Sequence, residues 1–257
     1  MSKIFTVIQG GTNYVNLLLQ QYEGLPNIVW VTQDSQPKEN LEKIENSNIK
    51  LVRYKDLAFY GEKNINLQIK STSVGLDYAK AQGATHVLKI RSDLIFKDHA
   101  SFTDVMNVND KIQCYFYVKH NENSRFKMPD FIGRNITQWA QRKDISVLDS
   151  DCYNYVCDYI NFGPIEEMEL FWKIDLENTI VDIPAEHKFM YNYLNKKFGY
   201  VNATYPFLTE AAFDFFLKKA ASKNTLISLK NKYSSKSLIE TGDTVEENGV
   251  VIQGYVG

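Results

Sequence analysis

The sequence predicts an α/β fold in which a mostly parallel central sheet is flanked by helices, with a more helical C-terminal part. Three observations lead there. In the first half of the chain, short β-branched runs alternate with helix-prone stretches, the pattern of strands joined by right-handed crossovers. A glycine pair, Gly10 and Gly11, ends the first of those runs. The apolar run THVLKIRSDLIF, Thr85 to Phe96, is interrupted by charge just where a buried strand should stop.

Taken in order, Lys3 to Gln9 (KIFTVIQ) reads as a strand, the glycines as a turn, and YVNLLLQQY as a helix. Asn27 to Thr32 and Ile49 to Tyr54 are the next two strands, separated by the helix-prone Gln36 to Asn46. In INLQIKSTSVGLDYAKAQ, apolar and small residues recur at three- and four-residue intervals, giving an amphipathic helix closed by Gly83. That helix delivers the chain into HVLKIRSD. Ile112 to Val118 is a strand, after which the alternation becomes irregular. Helices are expected from Gly163 and Pro164 (PIEEMELFWKI), from Pro184 to Gly199, and from Thr209 (TEAAFDFFLKKAAS). The natural division is a catalytic-type domain over 1–221 and an extension over 222–257, the latter a hairpin turning at Asn248 and Gly249 or an extended tail.

With 257 residues the chain has ample length for a hydrophobic core and does not need disulfides. Its net charge of -2 provides no global basic field, so a nucleic acid partner is not expected. Cys114, Cys152 and Cys157 form no CxxC pair and read as buried thiols in a reducing compartment. No segment has membrane-spanning length, and MSKIFTVIQGG is too short an apolar run for a signal peptide. The expectation is a cytoplasmic protein, compatible with peripheral membrane contact.

In an open α/β sheet, ligands bind beyond the carboxyl ends of the strands, where both the Gly10–Gly11 turn and the RSD triplet should lie. An aspartate there, Asp93, can ligate Mg²⁺ or Mn²⁺ bridging the phosphates of a nucleoside diphosphate. Strand alternation puts Lys89, Arg91 and Asp93 on one side, the two bases facing the phosphates. The plainer reading of the same triplet is an ion pair with no ligand. For a proton acceptor the candidates are Asp158, Glu167 and Glu186. On a helical wheel Glu167 lies beside the buried arc, while Glu169 points away. Each glutamate could instead only favour the positive end of its helix, and Asp158 either holds the acceptor or bonds backbone amides in its turn. The aromatic residues Trp139, Tyr153, Tyr155, Trp172, Tyr191 and Tyr193 suit sugar stacking or, more commonly, a core. His86, His120 and His187 show no ligand spacing.

IFTVIQGG, INLQIKSTSVGL leading into HVLKIRSDLIF, DYINFGPIEEMELFW and PAEHKFMYNYL, in this order, resemble the WavE-type lipopolysaccharide and capsule biosynthesis glycosyltransferases, whose sheet is GT-A-like (Rossmann-like). The resemblance implies a nucleotide diphosphate-sugar donor under Gln9, Gly10 and Gly11, with Gln68 among the donor-binding residues. It also implies Mn²⁺ or Mg²⁺ at the aspartate of the K-x-R-[ST]-D segment, Asp93, and a later acidic residue near a glycan or glycolipid acceptor. Leu67 departs from it, standing where an arginine is expected between Asn66 and Gln68. A literal Asp-x-Asp at Asp149, Ser150 and Asp151 competes with Asp93 for the metal. Two other activities fit the same sheet: a sugar-phosphate nucleotidyltransferase, which should carry a basic phosphate loop that GGTNYVN lacks, and a catalytically silent glycan-binding protein.

Overall fold

The computed structural model describes residues 2–61, 64–96, 108–114, 117–119, 154–156, 158–179, 185–199, 213–215, 226–231, 244–247 and 250–254. Four parallel strands, β1 (Ile4–Gln9), β2 (Ile28–Gln33), β3 (Lys50–Tyr54) and β4 (His86–Arg91), alternate with helices α1 (Val15–Gln21), α2 (Lys38–Glu45) and α3 (Ile65–Ala81). The short β5 (Leu94–Phe96) follows β4 after a two-residue turn. Next come β6 (Ile112–Cys114), β7 (Tyr117–Lys119), β8 (Asn154–Val156) and β9 (Ile160–Pro164), then α4 (Ile165–Trp172) and α5 (Ala185–Phe198). The last strands are β10 (Phe213–Phe215), β11 (Leu226–Asn231), β12 (Thr244–Glu247) and β13 (Val250–Gly254).

The central sheet runs β10-β6-β9-β4-β1-β2-β3, with β9 antiparallel to both β4 and β6. It is the mostly parallel, helix-flanked α/β sheet that the sequence predicts. Reversal at β9 has a consequence for the site. The start of β9 lies beside the end of β4, so Asp158 and Tyr159 arrive next to Arg91, whose backbone N–H donates to the Tyr159 carbonyl at 3.3 Å.

Both faces of the sheet are covered, which is why its strands are almost continuously apolar. Alternation along the strands divides the core. Val7, Val31 and Val87 join Leu76 of α3, Phe171 and Trp172 of α4 and Phe189 of α5, while Ile8, Trp30, Leu88 and Ile90 face Leu18, Tyr22 and Ile44 on the side of α1 and α2. α3 lies so close to the sheet that a Cβ on Gly75 would overlap a Val7 methyl and stand 3.1 Å from Val31 Cγ2. At its C-terminus, Gly83 adopts φ +77°, the left-handed conformation expected of a closing glycine. The α3–α4 contact is also fastened by charge: Glu169 takes Lys80 at 2.5 Å and Lys173 at 2.7 Å, and Lys173 reaches Asp77 at 2.5 Å.

Three expectations change. The helix predicted from Thr209 contains a strand instead, β10, which pairs in parallel with β6. Its Phe213 and Phe215 stand two apart, a spacing that suits an edge strand as well as the wider window suited a helix. Ile112 to Val118 supplies two strands in different sheets rather than one. Gly163 and Pro164 end β9, and the helix starts one residue later. In the segment after 222, β12 and β13 pair antiparallel with Glu247 opposite Val250, the expected turn residues Asn248 and Gly249 lie outside the described residues, and β11 adds that sheet to β5.

Two outcomes test this packing. Gly75→Ala gains about 1 kcal/mol of helix propensity but overpacks the α3–sheet contact, so the expected net effect is a loss of about 1–2 kcal/mol in chemical denaturation. For Glu169, burial opposes its charge, but Lys173 and Lys80 outweigh that and hold its carboxyl below the ordinary range. The stability from this tie is therefore present above the ordinary carboxylate pKa and lost as pH falls through the lowered value. Glu169→Gln should flatten the acid limb of a melting-temperature profile and leave its slope at neutral pH unchanged.

Candidate functional site

The carboxyl ends of β1, β2, β3 and β4 open into one cleft of about 440 Å³. Its floor is the turn after β1. Gly10 donates its N–H to the Val31 carbonyl at 3.2 Å, its own carbonyl accepts from Trp30 Nε1 at 3.2 Å, and Ser92 N–H reaches the Gln9 carbonyl at 2.8 Å. Gly10 has φ +130°, and a Cβ there would stand 2.5 Å from Ser92 Oγ. Only glycine fits. The loop beyond is held by Gln36, whose Oε1 accepts from Thr12 N–H at 2.8 Å and lies 3.2 Å from where a Gly11 side chain would begin.

The lining is polar and almost uncharged. Amides come from Gln9, Asn13, Gln33, Gln36, Asn64 and Gln68, and hydroxyls from Tyr14, Thr32, Tyr54 and Ser92. Burial raises the Tyr54 phenol to about 12, with smaller opposing and reinforcing effects from Ser71 and Asp56, so it is a neutral hydroxyl at physiological pH. Gln9 Oε1, Gln33 Nε2 and Gln68 Oε1 are buried without a hydrogen-bond partner among the described residues. Such atoms normally find partners, and three of them on one cleft mark where a hydrogen-bonding ligand fits.

Among the described residues, the lining's only charged side chains are Arg91 and Asp93. They bind each other through two bonds, Nε to Oδ1 at 2.9 Å and a terminal guanidinium nitrogen to Oδ2 at 2.6 Å. The guanidinium also lies 4.7 Å from the centre of the Tyr159 ring, and the Asp158 carboxylate adds to the field around it. Burial works against its charge, but Asp93 outweighs that and raises the guanidinium's proton affinity.

The expected site residues separate into two groups. Gln9, Gly10, Gly11, Gln68, Arg91 and Asp93 meet at the cleft. Lys89 does not: it is fully buried, bonding the Asp158 carbonyl, with its ammonium 4.2 Å from the Trp172 ring centre. It shares a face with Arg91, but sits one strand repeat deeper, under α4, where a phosphate has no access. Glu167 is also elsewhere. Its carboxylate lies between α4 and α5, accepting from Tyr193 at 2.5 Å and Lys197 at 2.7 Å, so it is an ion-paired strut and not the unpaired base the helical wheel suggested. The Glu186 backbone falls in the first turn of α5, and its side chain lies outside the described residues, as do Asp149 and Asp151. Asp158 is 1% exposed beside Arg91, with Oδ1 lacking a partner among the described residues.

Asn66, next to the departure at Leu67, has a structural role. It takes the Glu177 N–H at 2.7 Å and donates to the Glu177 and Phe59 carbonyls. Trp172, Tyr191 and Tyr193 belong to the core. His86 stacks on Phe162 and bonds Asn109. Cys114 is a buried free thiol. The residues overlooked include Asn13, Tyr14, Gln36 and Asn64 on the loops, and Thr32, Gln33 and Tyr54, which the carboxyl-end rule applied to β2 and β3 would have found.

Among the described residues no three carboxylate, histidine or cysteine side chains gather as a metal centre, and both Asp93 oxygens already accept from Arg91. The described donor set does not fit a metal held by the protein alone.

No family model matches the sequence, and no curated protein matches it. The resemblance to the WavE-type enzymes thus has no family match behind it. Among solved structures, the chain is similar to a cytidylyltransferase from Leptospira borgpetersenii serovar Hardjo-bovis (strain JB197) at 13% identity, with 79% of this chain and 76% of that one covered and a TM-score of 0.41. That is a distant likeness of arrangement and assigns no activity. No described helix is long and apolar enough to cross a membrane.

The placement of Lys89 has a measurable consequence. Lys89→Ala removes a buried, bonded cation and its packing against Trp172, and should cost about 3–5 kcal/mol in denaturant unfolding. Lys89→Met keeps the stem and should recover part of that loss. A phosphate-binding lysine would behave oppositely, with stability retained and ligand affinity lost.

Proposed function

We propose that this chain is a glycosyltransferase that takes a nucleotide diphosphate-sugar as donor and passes the sugar to a glycan or glycolipid acceptor. The observation that carries the reading is the set of unpartnered amide atoms on Gln9, Gln33 and Gln68 in a neutral cleft beside Arg91. Neutral amides and hydroxyls suit the base, ribose and sugar of such a donor, which are rich in hydrogen-bonding atoms and carry no charge. Arg91 suits the diphosphate. The cleft volume lies in the range of small-molecule sites. The resemblance to WavE-type enzymes supports the same donor class.

In the reaction, an acceptor hydroxyl oxygen bonds to the anomeric carbon as that carbon's bond to the diphosphate oxygen breaks. The hydroxyl proton passes to a carboxylate, and the leaving diphosphate keeps the bonding pair. Neither described candidate is assigned to that proton: Asp158 adjoins Arg91 but is 1% exposed and outside the cleft lining, and Glu167 is held by Lys197. Arg91 donates N–H groups to the charge developing on the leaving group.

Nucleotidyl transfer onto a sugar phosphate uses a similar sheet, and released product separates the two chemistries. A panel of nucleoside diphosphates at about a hundredfold above Kd should raise the melting temperature by roughly 5–10 °C for the preferred base. The matching nucleotide-sugar should then release nucleoside diphosphate in the presence of acceptor. Pyrophosphate released from a nucleoside triphosphate and a sugar phosphate would replace this reading with nucleotidyl transfer, and no response to any nucleotide would remove both.

A further inference from the structure

The chemistry expected of Asp93, gripping a cation, conflicts with its geometry. Its carboxylate is spanned by Arg91 in the two-point arrangement that matches a planar guanidinium to a planar carboxylate. Tyr159 lies 4.7 Å from the guanidinium on the ring face, and β4 ends at that residue, so little of the side chain is left to rotate. Of the five N–H groups of Arg91, Asp93 occupies two. The others have no hydrogen-bond partner among the described residues, and the residue lines the cleft.

We propose that Asp93 is a positioning residue: it fixes the Arg91 guanidinium so that its remaining N–H fork binds a phosphate or diphosphate group without a metal ion. An arginine normally loses rotamer freedom on binding, and one already held by a carboxylate and a ring has little more to lose. Asp93 cancels much of the net charge of Arg91, so affinity comes from directed N–H bonds rather than from a diffuse positive field. The inference rests on the proposed donor only in expecting the anion to be the diphosphate of a nucleotide; the anion site itself stands without it.

The probe is inorganic pyrophosphate, titrated calorimetrically into the intact chain with EDTA and again with Mn²⁺. The wild type should bind in EDTA. Asp93→Asn should weaken that binding about tenfold or more, by a similar factor in both buffers, and Arg91→Lys should do the same. The double variant should be little worse than either single one, because the two residues act as a unit. If Asp93→Asn leaves affinity in EDTA intact and abolishes only the gain from Mn²⁺, Asp93 is a cation ligand and the proposal is overturned. Absence of wild-type binding in EDTA overturns it equally.

Should Asp93→Asn fail to fold, the wild type still decides the matter by ¹⁵N NMR of the Arg91 Nε–H. That signal should stay protected from exchange when Mg²⁺ and pyrophosphate are added together, and its loss would show the carboxylate leaving for the ion. A chain that binds pyrophosphate in EDTA yet turns over no nucleotide-sugar would end the glycosyltransferase reading and leave this one standing.

Discussion

The cleft exists because the ends of three neighbouring strands meet where no side chain fits. Gly10 has φ +130° and Ser92 Oγ lies 2.5 Å from where its Cβ would be, so the β4 turn can close onto the β1 turn. That approach permits the bond from Ser92 N–H to the Gln9 carbonyl, while Gly10 N–H to Val31 ties in β2. Gln9, Gln33 and Arg91 all hang from these ends. A methyl at Gly10 would therefore disturb the walls that β1, β2 and β4 supply, not one contact.

The interruption of β4 by bases and an acid resolves into two separate solutions for burying charge. Lys89 lies under α4, where a carbonyl and the face of Trp172 replace water around the ammonium. Arg91, at the rim, has Asp93 along one edge and Tyr159 across one face, and keeps donors in reserve. The two bases share a sheet face but differ in depth by one strand repeat, and this difference separates a cation closed in under α4 from one that lines the cleft. Alternation revealed the shared face. Depth depends on where α4 crosses the sheet, and local sequence spacing carries no record of that.

Most of the sheet was legible for the same reason. β1, β2 and β4 are buried on both faces, and α3 has a long apolar stripe, so period and composition agree there. Gly10 and Gly83 were readable because each occupies a backbone conformation that other residues rarely adopt. The strand at Phe213–Phe215 was not, because three residues in a helix-favouring window became a strand by pairing with distant Ile112–Cys114. In the site, the glycine turn and the RSD triplet were visible as breaks in pattern. Gln33 and Tyr54 break no pattern, and the Tyr193–Glu167–Lys197 contact joins two helices whose mutual orientation spacing does not encode.

The charge balance of the cleft bears on which transfer chemistry it serves. A nucleoside triphosphate brings more negative charge than the diphosphate diester of a nucleotide-sugar, and it requires correspondingly more positive charge or bound cation. Among the described lining residues, one guanidinium answers that need, and Asp93 offsets it. The GGTNYVN turn has no lysine or arginine to add. Meanwhile six amide side chains line the walls. A site with so little countercharge and so many neutral donors and acceptors is better matched to a ligand whose larger part is uncharged and hydroxyl-rich. Whichever nucleotide occupies the cleft, the described lining sets one guanidinium against its phosphates, and this holds whether or not Asp93 ever meets a cation.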